Sequence, residues 1–125
     1  MIQTSLEKDT GIVWSVVKGE VTIDTLVQKM LAIRIAAGES ASELRVMNIF
    51  ENITTTLGAQ EIIDFFEIVK SNSKGIQSIK AAFVASTPRE TALSMLYADT
   101  ANKSHLFNVK VFSTNEAALH WLQAR

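Results

Sequence analysis

Short apolar runs alternate along this chain with segments whose apolar residues recur at helical spacing. This alternation is the strongest constraint on the fold. A run of about four to eight β-rich residues predicts a strand, whereas apolar residues three and four apart predict a helix. The predicted strands are residues 2–8, 12–18, 43–50, 80–86 and 106–112. The predicted helices run from about Ile23 to Ile35, from about Ala59 to Ser71, from Pro88 to about Asn102, and from the segment 113–116 through Leu122.

The resulting order, β-β-α-β-α-β-α-β-α, is typical of the α/β class. Strands that are separated by helices imply a largely parallel central sheet with right-handed crossovers. The polar residues Asp9–Gly11 lie between the first two runs and predict an antiparallel hairpin there. The sheet is therefore expected to be mixed, with about five strands flanked by helices.

The segment 43–50 allows two interpretations. Apolar residues stand at both alternating sets of positions, which suits a strand buried on both faces. The residues Ser40–Glu43 could instead begin a helix. We favour the strand because a short apolar run between turn-like segments fits that length better.

Helix boundaries are signalled by capping residues. The segment Thr87–Glu90 combines a capping threonine, Pro88 at the first helical position and a glutamate three residues after the cap. The segment Ser113–Glu116 has the same capping-box pattern and opens the last helix. Thr22 is placed to cap the first helix and Gly38 suits its C-terminal end.

Composition excludes several classes of protein. The chain has 125 residues, of which 47% are hydrophobic and 20% are charged, which is ordinary for one globular domain spanning residues 1–125. Its formal net charge is -1 and its basic residues are scattered, so no nucleic-acid partner is expected. It has no cysteine, which excludes thiolate metal sites, disulfides and thiol nucleophiles.

Motifs for catalysis, cofactors and membranes are also missing from the sequence. No Gly-x-Ser-x-Gly elbow, phosphate loop or dinucleotide fingerprint is present, and neither His105 nor His120 has a partner at metal-ligand spacing. We therefore expect no enzyme activity, no cofactor and no metal. The start of the chain does not resemble a signal peptide, and no apolar stretch approaches the roughly eighteen residues of a membrane span. A cytoplasmic location is the expectation.

The second helix carries an unusually broad apolar arc. Its candidate residues for an apolar ligand site or a subunit interface are Ile62, Phe65, Phe66 and Val69. Such an arc is wider than a helix with one buried side needs. Burial against the sheet is the commoner fate of these residues in α/β folds. A ligand cavity and a homodimer interface would both use the same side chains.

Three segments, Val17–Thr22, Ala81–Ala85 and Val111–Leu122, together resemble the SpoIIAA-like branch of the STAS domains, the family of the anti-sigma-factor antagonists. Val17–Thr22 resembles the family's strand that ends in glycine and is followed by a Val-Thr opening the first helix. Ala81–Ala85 resembles its fourth strand. Val111–Leu122 resembles its ending, a strand that finishes in Val-Phe and an acidic, alanine-rich helix that closes on Trp-Leu.

This resemblance implies a four- or five-stranded sheet flanked by helices, without catalytic residues. In the antagonists, a serine at the start of the second helix is phosphorylated by a partner kinase. Thr54, Thr55 and Thr56 occupy the matching region, so they are candidate phospho-acceptors or partner-binding residues. Ile53 replaces the aspartate that precedes the antagonists' serine. Capping and turn formation also explain threonines at such positions.

Two functional hypotheses follow. The first is a non-enzymatic regulatory or protein-interaction module of the STAS type, which the resemblance implies and which is switched near Thr54–Thr56. The second is a carrier or sensor of an apolar, lipid-like small molecule held between the sheet and the second helix. The resemblance implies this role too, because other members of the family bind apolar molecules.

Overall fold

A computed structural model describes residues 1–124, which form five strands and four helices in the order that the sequence predicts. The strands are β1 (Ile2–Glu7), β2 (Ile12–Val21), β3 (Glu43–Thr55), β4 (Ser78–Val84) and β5 (Phe107–Phe112). The helices are α1 (Ile23–Ala37), α2 (Ala59–Ser71), α3 (Pro88–Ala101) and α4 (Asn115–Gln123). The fold class and the mixed five-stranded sheet are therefore confirmed.

The strands lie in the sheet in their chain order, β1-β2-β3-β4-β5. β1 and β2 form the antiparallel hairpin, and Gly11 takes the positive φ of 74° that its turn requires. The pairs β2–β3, β3–β4 and β4–β5 are parallel. Each parallel strand is added on the same side of the strand before it. Right-handed crossovers between such strands all pass over one face of the sheet, so α1, α2 and α3 share that face.

The opposite face is covered by α4, which contacts β3, β4 and β5. Alternation along the strands supplies both faces with apolar side chains. The core under α4 consists of Ile12, Met47, Ile49, Ala82, Val84, Ala118 and Leu122. The core under the other three helices includes Val17, Leu26, Val46, Phe65, Phe66, Ala81 and Phe107.

Three of the helices begin at threonine caps. Thr22 accepts a hydrogen bond from the backbone of Thr25, and Thr87 accepts one from the backbone of Glu90, as predicted. For α4 the predicted capping box is wrong by one position, because the cap is Thr114 and not Ser113. The hydroxyl of Thr114 accepts from the backbone N–H three residues later, which satisfies one donor of the first turn.

Basic side chains of the sheet hold the C-terminal end of α4. Lys80 donates to the carbonyl oxygens of Trp121 at 2.6 Å and Ala124 at 2.7 Å, and Arg45 donates to that of Leu122 at 3.3 Å. Cations suit this end of a helix because its last carbonyls have no partner within the helix and its dipole is negative there. These contacts fix α4 across β3 and β4.

β3 is longer than predicted. The residues 51–55 continue the strand that is predicted for residues 43–50, which excludes the helical alternative for that segment as well. The physical reason is the length of β2, which reaches Val21 and pairs with β3 beyond an irregularity at Lys18/Gly19. A partner strand that continues offers backbone hydrogen bonds that a loop would have to find elsewhere.

Replacing Leu122 with Ala is expected to lower the free energy of unfolding by about 2–5 kcal/mol, because the side chain is fully buried between α4 and the sheet. Leu31→Ala is the matched control, since Leu31 is 50% exposed, and it should change that energy by no more than about 0.5 kcal/mol. Urea unfolding measures both. Equal effects of the two substitutions would contradict the described position of α4.

Candidate functional site

A cleft of about 160 Å³ lies between the sheet and the three helices that share one of its faces. α1 packs over β1 and β2, whereas α3 packs over β5 with α2 beside it. The cleft lies between these two groups of helices, above β3 and β4. Its walls come from α1, α2 and α3, and its lining includes Leu26, Met30, Ile62, Phe65, Val69 and Leu93.

Aromatic rings form much of the cleft floor. Phe50 of β3 and Phe83 of β4 are stacked with 6.3 Å between ring centroids and an interplanar angle of 7°. Tyr97 of α3 lies 5.3 Å from Phe83 and 6.1 Å from Phe65, again between centroids. These separations are those of favourable aromatic pairs, so the floor and one wall are both apolar and well supported.

A lysine projects into this apolar cleft. Lys29 follows the buried Leu26 by three residues on α1, so both side chains point towards the sheet, and Lys29 is only 7% exposed. Its ammonium group donates to Oδ1 of Asn48, and Nδ2 of Asn48 donates to the carbonyl oxygen of Ala82 at 3.0 Å. The same ammonium lies 5.8 Å from the ring centroid of Phe50 and 5.7 Å from that of Phe83.

No carboxylate of residues 1–124 pairs with Lys29, since the ion pair in this part of the chain is Lys18–Glu51 at 3.4 Å on the surface. Burial away from water disfavours the charged ammonium and lowers the pKa of Lys29 to about 7. The neutral amide of Asn48 and the two ring faces compensate that cost only in part.

Other polar groups line the same cleft. Arg34, farther along α1, donates through Nη2 to the carbonyl oxygen of Glu39 at 3.3 Å, while its Nη1 is buried and has no partner within residues 1–124. Glu90 of α3 contributes a buried carboxylate. The phenol of Tyr97 stays protonated across the physiological range because burial raises its pKa.

Of the four residues predicted from the apolar arc of α2, the structure places three in the cleft lining: Ile62, Phe65 and Val69. Phe66 lies beside them but packs edge-on against Phe107, with 5.0 Å between centroids, in the core of the same sheet face. The residues of the broad arc are therefore divided between the lining of the cleft and the core. A ligand role for these residues remains a prediction.

Thr54 and Thr55 are the last residues of β3 and Thr56 follows them, so none of the three candidates lies at the start of α2, which is capped by Gly58. Thr54 and Thr56 are exposed. Thr55 donates to the carbonyl oxygen of Val21 at 2.8 Å and accepts from the backbone N–H of Leu57 at 3.1 Å. These two hydrogen bonds explain Thr55 by the turn-forming role expected for threonines at such positions.

Sequence reasoning missed the pair Lys29–Asn48. The signal was present, because Lys29 stands within the apolar stripe of α1 and Asn48 interrupts the apolar run of β3. A charged residue on the buried side of a predicted helix and a polar one inside a buried strand are each unusual. Their contact depends on how α1 crosses the sheet, which neither pattern reveals.

The described strands and helices form an α/β domain whose fold is similar to that of a solved structure. An uncharacterised protein of the DUF3478 family from Shewanella loihica PV-4, whose crystal structure has a SpoIIAA-like fold, superposes with a TM-score of 0.62. The two chains share 17% sequence identity, and the match covers 98% of this chain and 92% of the other. No family model and no curated protein matches the sequence. The resemblance inferred from the three segments is thus confirmed at the level of the fold.

None of the helices within residues 1–124 is both long and apolar enough to cross a membrane. Over the same residues, no three side chains of the His, Cys, Asp and Glu types lie together in a group that could hold a metal ion.

Replacing Lys29 with Met is expected to raise the free energy of unfolding at pH 7 by about 1–4 kcal/mol, because an apolar side chain of similar length buries no charge. The pKa of Lys29 is about 7 in the folded protein, against an ordinary value of 10.5. Between these pH values the unfolded chain binds the extra proton, so wild-type stability should rise with pH across this window. Below about pH 7 the charge is buried and the destabilisation is complete.

Urea unfolding between about pH 6 and pH 10 measures this dependence, and Lys29→Met should remove most of the rise. Lys18→Met serves as the control, because the side chain of Lys18 is 44% exposed and pairs with Glu51 on the surface. It should keep the wild-type pH dependence and change stability by no more than about 0.5 kcal/mol. A rise of equal size in wild type and Lys29→Met would show that Lys29 is not its source.

Proposed function

We propose that this protein is a non-enzymatic module that binds an apolar small molecule in the cleft between its sheet and helices. The observation that carries the proposal is the cleft itself, whose lining is predominantly apolar and whose volume is about 160 Å³. Ligand sites are typically concave and apolar with a few polar groups that orient the ligand. Lys29 and Asn48 would be those groups here.

The size of the cleft suggests the size of the ligand part that it encloses. An apolar cavity of about 150 Å³ in another protein binds benzene, so about six carbon atoms fit a space of this volume. α1 and α2 have few contacts with each other compared with those that α1 makes to the strands. A longer ligand would therefore extend between these two helices rather than through the sheet.

The neutral alcohol 1-hexanol is a suitable probe because it tests the apolar cleft without involving charge. Titration should shift amide resonances of cleft residues on α1, α2 and β3 and raise the melting temperature. Val69→Phe should weaken this binding at least about tenfold, because the larger ring fills space that Val69 borders. The comparison is made with the folded chain of 125 residues.

Ile68→Phe is the control, since Ile68 neighbours Val69 on the same helix and does not line the cleft. It should bind 1-hexanol as wild type does. Resonance shifts confined to the α4 face, or equal affinity in Val69→Phe and wild type, would contradict the proposed site. Native mass spectrometry of gently purified protein is a second test, in which a co-purified small molecule is the expected result.

A phosphorylation-switched interaction module is the second candidate, and one observation favours it. Thr54 is exposed at the end of β3, next to Thr55, which lines the cleft. A phosphate at Thr54 would add charge at this exposed strand end, on the face opposite the cleft, because neighbouring residues of a strand point to opposite faces. At the start of α2, however, the backbone N–H of Gly58 already donates to the carboxylate of Glu61 at 3.0 Å, so a phosphate would compete with that carboxylate. We therefore rank this function second.

Thr54→Glu is expected to leave the free energy of unfolding within about 0.5 kcal/mol of wild type, because Thr54 is exposed and no hydrogen bond of its hydroxyl is lost. Thr55→Glu should lower that energy by about 1–3 kcal/mol, because it removes two hydrogen bonds at the end of β3. Urea unfolding measures both. Mass spectrometry of protein isolated from its native host should find phosphate on Thr54 or Thr56 if the switch operates, and its consistent absence would remove this candidate.

A further inference from the structure

The charged groups that face the cleft leave a positive excess. The titratable side chains in its lining are Lys29, Arg34, Glu90 and Tyr97. Tyr97 is neutral. The carboxylate of Glu90 accepts two long hydrogen bonds from Ser86, which lies just before the cap of α3: one from its backbone N–H at 3.5 Å and one from its hydroxyl at 3.4 Å. When Lys29 is protonated, two cations and one carboxylate remain, a net charge of about +1.

Lys29 has donor capacity that the described residues leave unused. An ammonium group has three N–H donors, and the protein provides one acceptor, Oδ1 of Asn48. The rings of Phe50 and Phe83 face the same ammonium group but accept no ordinary hydrogen bond. A buried ammonium in this setting is best satisfied by an anion, because charge-assisted hydrogen bonds are the strongest that it can form.

Arg34 adds a second, independent indication. Its Nη1 is buried without a partner within residues 1–124, although the side chain lines the same cleft. Buried guanidinium nitrogens are normally hydrogen-bonded. Arg34 follows Lys29 by five residues on α1, so the helix that forms one wall of the cleft presents two incompletely satisfied cations along its length.

We propose that the ligand is an amphiphile with a single carboxylate, which binds the ammonium group of Lys29 while its apolar part occupies the cleft. This inference rests on the proposed function and names the class of ligand. One negative charge matches the positive excess of the cleft. A phosphate monoester fits less well because it carries about -1.5 to -2 charges near pH 7.

Hexanoate and hexanamide are the probes, because they share their shape and differ in charge. Calorimetric titration of the full chain at about pH 6, where Lys29 is protonated, should show hexanoate binding at least about tenfold more tightly than hexanamide. At about pH 9 the preference should shrink, because Lys29 loses its proton as the pH rises. Hexyl phosphate should bind more weakly than hexanoate at both pH values.

Variants locate the preference at Lys29. Lys29→Met should lose the preference for hexanoate over hexanamide. Lys18→Met, which removes a surface lysine, should keep it. The side-chain resonance of Lys29 provides a readout that does not depend on any variant: saturation with hexanoate should raise its pKa, whereas hexanamide should not.

The outcomes separate this inference from the function on which it rests. Equal affinity for hexanoate and hexanamide in wild type, with 1-hexanol still bound, would overturn the carboxylate and leave the apolar cleft. Failure to bind 1-hexanol and both probes would overturn the proposed function as well. Tighter binding of hexyl phosphate would assign the cleft to a phosphate head group and overturn the inference.

Discussion

The long parallel pairing of β2 with β3 is the constraint on which the rest of the structure depends. It joins the antiparallel hairpin to the parallel strands and sets the direction in which the sheet grows from β3 to β5. Because every later strand is added on the same side, the handedness of the crossovers directs α1, α2 and α3 to one face. The same pairing aligns Ser15 with Asn48, which places buried polar side chains beneath α1.

The burial of Lys29 is not explained by a contribution to the free energy of unfolding. A methionine at position 29 would fill similar space without burying an ammonium group, and replacing buried charges with apolar residues is often neutral or stabilising. The cleft accepts Lys29 with a neutral amide and two aromatic rings around it. Buried positions normally hold apolar residues, and exceptions to such local rules occur most often at functional sites. The lysine at position 29 is such an exception.

Much of the architecture was predictable because it is encoded locally. The order of the elements, the bounds of α2 and the caps at Thr22 and Thr87 follow from apolar period and capping chemistry over a few residues. The end of β3 was not predictable from local sequence, since it depends on how far β2 extends beside it. The cap of α4 was missed by one residue because Ser113 and Thr114 are chemically equivalent candidates.

The candidate site was predictable only in part, for a related reason. The apolar arc of α2 indicated a surface with more than one contact, and three of its four candidates line the cleft. Lys29 and Asn48 meet across 19 residues of chain. Their contact follows from the way α1 crosses the sheet, which is a property of the assembled fold and not of any short segment.

The position of α4 has a consequence for the order in which the protein acquires its structure during synthesis. α4 follows all five strands along the chain and alone supplies the helix for its face of the sheet within residues 1–124. On a ribosome, Ile12, Met47 and Ala82 would emerge well before Leu122, the residue that later covers them. The apolar side chains on this side of the nascent sheet therefore stay exposed to water until α4 has been synthesised, and chaperones that hold apolar surfaces would engage them there.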